Sequence, residues 1–238
     1  MKAVEVRELV KEYGNFRALN GISFEVNEKE IFGLIGPNGA GKTTALRTIA
    51  TLLQITTGSI TVFGYELPKE AGEVRKIISY LPEEAGAYRN LTGKEYLNFI
   101  AKFFGDGEKS QDMVQSGLEI ANLGDRINDK VDTYSKGMTR RLLVGRALMV
   151  NPRLAILDEP TSGLDVVNAQ EVRRIINSSV EAGVAVLLSS HNMLEVELLC
   201  HRIALMNDGI IVASGTAEEL KNEYDARNIE EVFVKAIK

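Results

Sequence analysis

The run EIFGLIGPNGAGKTTALR (30–47) decides the fold. Ile31 to Ile35 is almost continuously apolar, as in a strand covered on both faces. Gly36, Gly39 and Gly41 then interrupt it, and a helical pattern runs on from about Lys42 to Leu53. Gly36 to Thr43 fits G-x-x-x-x-G-K-[ST]. Glycines let successive main-chain N–H groups turn inward and wrap an anion, and the following helix aims its positive end at the same point. Lys42 would reach the terminal phosphates of a nucleotide, and the Thr43 hydroxyl suits Mg²⁺. A chance glycine-rich turn can match this pattern. A strand before it and a helix after it are the context the chemistry needs.

Working outward, 238 residues suffice for one core with a smaller attached lobe. The formal net charge of −5 argues against a nucleic-acid binder using a general basic face. Cys200 is the single cysteine, which excludes an intrachain disulfide, and two histidines with it make no credible zinc site. The opening MKAVEVRELVKEYG scatters charge and does not read as a signal peptide. The strongest apolar runs, 31–36 and 184–188, are far shorter than the roughly 18 residues of a membrane helix. The expectation is a soluble chain whose membrane role, if any, comes through a partner.

The first thirty residues alternate in the manner of β-structure, and SITVFG and ISYLP read as further short strands. From Leu91 the period changes. Thr92 and Glu95 form a capping-box pattern, and Tyr96, Phe99, Ile100, Phe103 and Phe104 are expected on one helical face. LAILDEP (154–160) and VAVLLSSH (184–191) return to buried strands, and IALMNDGIIVASG carries the Asp-Gly of a hairpin. Ile229, Val232, Phe233 and Ile237 make an amphipathic stripe near the end. The expected class is α/β. It has a P-loop NTPase core with a mainly parallel sheet, an N-terminal antiparallel β subdomain and a helical insertion lobe. Segments 1–84 and 151–215 form the core, 85–150 the lobe and 216–238 a helical tail.

Ligands in such sheets bind at the carboxyl ends of the strands. Three further segments therefore matter. Asp158 and Glu159 end one apolar strand, where the first carboxylate can serve Mg²⁺ and the second a water. A capping acid is the plainer alternative. His191 ends another strand, where a lone histidine is ordinarily a hydrogen-bonded turn residue. Glu83 and Glu84 end a third, in ISYLPEEAG, and charge at that corner needs a use.

Tyr134-Ser-Lys-Gly-Met-Thr-Arg-Arg-Leu, with Ser135 as a good N-cap, lies between GPNGAGKT and LDEPTSGLD. In that order the three segments resemble the ATP-binding subunits of ABC transporters, over essentially the whole chain. The likeness is nearest to stand-alone ATPases that drive separately encoded, exporter-type permeases. It implies that Gly36, Asn38, Gly39, Ala40, Gly41, Lys42, Thr43 and Thr44 hold the phosphates and Mg²⁺ of ATP. Asp158 would serve the metal, Glu159 the attacking water and His191 the γ-phosphate. Tyr13 would stack on adenine, with Phe16 as rival. Ser162, Gly163, Leu164 and Asp165 resemble the loop that crosses to a second subunit. Ser135 and Gly137 would cap the γ-phosphate bound to that subunit. One chain then holds two half-sites, and ATP is sandwiched in a head-to-tail dimer, expected to be a homodimer.

The chain departs from the family pattern at Lys136 and Met138, where a glycine and a glutamine are usual, and at Glu83, where a glutamine is usual. Glu83 is expected to replace that glutamine as a metal or water ligand. The implied activity is ATP hydrolysis that drives an integral membrane permease. The implied place is the cytoplasmic face of the cell membrane, without nucleic-acid partners. A soluble ABC ATPase of translation or DNA maintenance is the alternative, expected to carry two cassettes or long heptad arms. A P-loop small-molecule kinase would leave the YSKGM and SGLD segments idle.

Overall fold

A computed structural model describes residues 1–238. In chain order the elements are β1 (Lys2–Tyr13), β2 (Phe16–Asn27), β3 (Ile31–Ile35), α1 (Lys42–Ile49), β4 (Thr57–Val62), β5 (Tyr65–Leu67), α2 (Ala71–Ile77), β6 (Ile78–Leu81), α3 (Gly93–Ala101), α4 (Gly107–Ala121), α5 (Lys136–Leu148), β7 (Leu154–Asp158), α6 (Val166–Glu181), β8 (Ala185–Ser190), α7 (Met193–Leu199), β9 (Arg202–Asn207), β10 (Ile210–Gly215), α8 (Ala217–Glu223) and α9 (Ile229–Ala236). Short 3-10 turns at Gly124–Asn128 and Val131–Thr133 join α4 to α5.

The alternating N-terminal sequence forms an antiparallel sheet in the order β2-β1-β4-β5. The apolar runs form a second sheet, β10-β9-β3-β8-β7-β6, parallel from β9 to β6, with β10 antiparallel at the edge. Every residue of β3, β7 and β8 is buried. Their unbroken apolar character follows from cover on both faces. One face of the sheet packs on the N-terminal sheet through Leu9, Leu34, Ile60 and Leu187. The other packs on the helices through Leu97, Leu142, Leu157 and Ile176.

Between β6 and β7 there are only helices and turns, so the change of period at Leu91 marks a real change of layer. The Thr92 hydroxyl accepts the Glu95 N–H at 3.1 Å, and the Glu95 carboxylate accepts the Thr92 N–H at 2.8 Å. That reciprocal pair starts α3 where the sequence places it. The expected aromatic face needs correction. The buried side of α3 is Tyr96, Leu97 and Ala101. Phe103 and Phe104 lie past the end of the helix and are 71% and 51% exposed. Phe99 also faces outward, edge-to-face with Tyr88 at 5.3 Å and with Phe103 at 5.2 Å. An i, i+3, i+4 pattern does not tell a core stripe from an exposed one when the helix stops partway along it.

Helix α1 also ends earlier than its pattern, at Ile49 rather than near Leu53. At the C-terminus, Ile229 and Val232 are buried against Ile35, Val196 and Leu220, whereas Ile237 is exposed.

Candidate active site

The carboxyl ends of four adjacent parallel strands, β3, β8, β7 and β6, carry the loops that begin at Gly36, His191, Glu159 and Pro82. Neighbouring strands in such a sheet run about 4.8 Å apart, so the register alone brings these loops to one edge. Gly39 and Gly41 have φ of 86° and 100°, a region that side chains with Cβ rarely enter. Gly36 is needed for a different reason. A Cβ there would meet the main-chain oxygen of Met206 on β9 at 2.1 Å.

Lys42, 6% exposed, folds back to donate to the carbonyls of Gly36 (2.7 Å) and Pro37 (3.1 Å). Its ammonium also lies 3.7 Å from the Glu159 carboxylate. Burial pushes Lys42 below the ordinary lysine pKa, opposed by the charges of Glu159 and Asp158. A buried cation tied to weak carbonyl partners is placed to exchange them for an anion.

Glu159 is buried, with its other oxygen 2.9 Å from His191 Nδ1. Its backbone has φ 49°, unusual for a residue with a long side chain and typical of strained functional corners. Asp158, 1% exposed, is touched by three neutral hydroxyls: Ser189 at 2.6 Å, Thr43 at 3.2 Å and Tyr80 at 3.3 Å. No cationic side chain forms an ion pair with it. A buried carboxylate surrounded by neutral hydroxyls suits a hard cation, and Thr43 with Asp158 supplies the oxygen donors that Mg²⁺ prefers. No cluster of three or more His, Cys, Asp or Glu side chains offers a complete metal cage. Mg²⁺ is typically bound by one or two carboxylates with the remainder from phosphates and water.

Lys42, Thr43, Asp158, Glu159 and His191 are thus brought together. Asn38 and Gly39 lie on the exposed rim of the loop, Ala40 is buried beneath it, and Thr44 is half-buried in the first turn of α1. Tyr13 is paired with Phe16 at the tip of the first hairpin, where both rings are largely exposed. Ser135 and Gly137 form a second group. The Ser135 hydroxyl accepts the Met138 N–H at 3.2 Å and caps α5. Gly137 is covered by the Asn168 side chain, which a Cβ would meet at 2.2 Å. Lys136 rests its ammonium against Gly163, in the loop that ends at Asp165. Asp165 caps α6, and the Asn168 N–H holds its carboxylate below the usual range. The Glu83 carboxylate is exposed and makes no hydrogen bond. Its main-chain oxygen accepts from Arg140 at 3.1 Å.

Three residues of the site escape a reading by motif: Tyr80, Ser189 and Arg140. Ser189 is fully buried, and its hydroxyl accepts the Glu159 N–H at 3.0 Å while donating to Asp158. A serine pair ending an otherwise aliphatic strand beside LAILDEP is the available signal. His201, by contrast, accepts the Ile31 N–H through Nδ1 far from these groups and is structural.

Comparison with known proteins identifies the family and the fold. The family described as "ABC transporter" matches residues 19–162. The "Linearmycin resistance ATP-binding protein LnrL" of Bacillus subtilis (strain 168) is 37% identical over 236 residues, spanning 98% of this chain and 76% of that protein. The "Daunorubicin/doxorubicin resistance ATP-binding protein DrrA" of Streptomyces peucetius is 37% identical over 93% of this chain and 67% of its own length. A solved chain, "Structure of ATP binding subunit of ABC transporter", superposes with a TM-score of 0.86 at 29% identity, covering 99% of this chain and all of that one. Strand ends, loops and relatives agree: the chain belongs to the ABC transporter family, as an ATP-binding subunit.

Proposed function

We propose that this subunit hydrolyses ATP with Glu159 as the base and passes the resulting movement to a membrane permease. The observation that carries the reading is the Glu159 carboxylate, buried and bridging Lys42 at 3.7 Å and His191 at 2.9 Å. A carboxylate fixed between the phosphate-loop lysine and a histidine is placed to orient a water and take its proton. Thr43 and Asp158 would hold Mg²⁺, which supplies charge neutralisation at the phosphates. Glu83 would complete the water or metal shell. Tyr13 would stack on adenine.

Ser135, Gly137 and Asp165 lie apart from this group, and that separation supports a two-subunit site. A second copy of the chain, arranged head to tail, would bring its Ser135 and Gly137 to the γ-phosphate. Contacts made only in the closed dimer let ATP favour closure and hydrolysis reverse it.

The permease would dock in the groove lined by Leu52, Ile78, Tyr80, Ile100, Phe103 and Phe104. Exposed phenylalanines in a groove whose Tyr80 hydroxyl reaches Asp158 suit a partner that must sense the site. No helix of the chain is long and apolar enough to cross a membrane, so the proposed place is the inner membrane surface, through the permease. Two relatives are named for drug resistance, which favours export as the direction.

Glu159→Gln keeps the shape and removes the base. Hydrolysis should fall about 10²- to 10⁴-fold, while ATP still binds and holds a dimer on size exclusion. Hydrolysis at the unaltered rate would exclude Glu159 as the base.

A further inference from the structure

Arg140 is an arginine buried to 7% exposure in the interior of α5, with no carboxylate as ion-pair partner. Every direction of its guanidinium is instead spent on main-chain oxygens. Nε donates to Pro160 at 2.8 Å. Nη1 donates to Glu83 at 3.1 Å and Pro82 at 3.4 Å. Nη2 donates to Asp158 at 3.0 Å and, more closely, to Glu159. The acceptors belong to two separate loops, one after β6 and one after β7.

A salt-bridging role would need a carboxylate, and a packing role would be served by an aliphatic side chain without the cost of burying charge. What a guanidinium offers instead is five donors in a rigid plane, able to fix several acceptors at once. The acceptors here are three successive carbonyls, 158 to 160, around the left-handed Glu159, together with those of Pro82 and Glu83. Burial lowers the guanidinium pKa, and the charges of Glu83, Asp158 and Glu159 oppose that shift. In the peptide between Asp158 and Glu159, Ser189 holds the N–H and Arg140 the carbonyl. Ser135 and Gly137 lie at the start of the same helix, about 7.5 Å and about 4.5 Å of axial rise from Arg140.

We infer that Arg140 is a positioning residue: it fixes the backbone of Glu159 and ties that carboxylate, with the Glu83 loop, to the helix that begins at Ser135. Movement of that helix on a partner's nucleotide would thereby be felt at the hydrolytic carboxylate through one side chain. The inference rests on Glu159 as the base.

The test measures phosphate release by the full chain with Mg²⁺ and ATP for Arg140→Ala, Arg140→Lys and Glu159→Gln. A misplacement near 1 Å can reduce turnover about 10²-fold, so both Arg140 variants should lose about 10- to 100-fold in kcat. KM for ATP should change by less than about threefold, since the phosphate loop is untouched. Guanidinium ion at tens of millimolar, far below denaturing levels, should restore part of the kcat of Arg140→Ala and leave Arg140→Lys unaffected. Turnover by either variant near that of the unaltered chain overturns the clamp. A loss confined to KM, or a folded Arg140→Ala that guanidinium does not revive, does so equally. If Arg140→Ala does not fold, Arg140→Lys decides by its kcat alone. Fast hydrolysis by Glu159→Gln overturns the base, and the clamp with it. Slow Glu159→Gln beside fast Arg140 variants overturns the clamp alone.

Discussion

Ser189→Ala tests the site's internal wiring without touching a group assigned to chemistry. The hydroxyl is fully buried and has two partners, the Asp158 carboxylate at 2.6 Å and the Glu159 N–H at 3.0 Å. A hydrogen bond to a charged group contributes about 1.5–3 kcal/mol, and a buried N–H left unpaired costs about 1–3 kcal/mol. Removing the hydroxyl also relieves its own desolvation, so the expected net loss is about 2–4 kcal/mol. In a chain of this size each kcal/mol lowers Tm by about 2–4 °C. The melting temperature without nucleotide should therefore fall by about 4–16 °C, read by circular dichroism. Hydrolysis should fall as well, because the Glu159 N–H loses its anchor. A Tm within about 1 °C of the unaltered protein, together with full hydrolysis, would refute the claim that Ser189 organises the carboxylate pair.

Three further outcomes are expected. Gly36→Ala places a methyl 2.1 Å from a main-chain oxygen that cannot move without displacing β9, so the cost should reach about 3 kcal/mol or more, visible in urea unfolding. Glu83→Gln should keep the Mg²⁺ dependence of hydrolysis and Glu83→Ala should shift it to higher Mg²⁺; if neither variant differs from the unaltered chain, Glu83 is not at the metal. Burial pushes the Cys200 thiol well above its ordinary pKa. The native protein should therefore resist thiol reagents that label the urea-unfolded chain at once. The same shift fixes a sign. Above the ordinary thiol pKa the unfolded chain has released its proton and the folded one has not, so stability falls as pH rises through that value. Cys200→Ala should make this alkaline slope shallower, measured by urea titration across the range; the raised Tyr80 and Tyr134 phenols contribute to what is left.

The aliphatic strands were legible in sequence because burial on both faces leaves only one kind of residue that fits. The capping box of α3 was legible because it is local, with both halves three residues apart. β5 and α2 were not, since the one has three residues and the other buries only Val74, so neither leaves a periodic trace. Phe103 and Phe104 misled the reading because spacing records a face and not what covers it.

By itself, then, the sequence determined the phosphate loop, the carboxylate pair and the class of fold, because their chemistry is written in residues adjacent along the chain. Only the tertiary structure decided that Ser189, Tyr80 and Arg140 belong to the site. Their partners lie 31, 78 and up to 58 residues away, on strands, and on the loops that follow them, that the sheet order sets side by side. An arginine that binds carbonyls leaves no motif, since every residue has a carbonyl to offer. Which carbonyls it meets is a property of the packed chain alone.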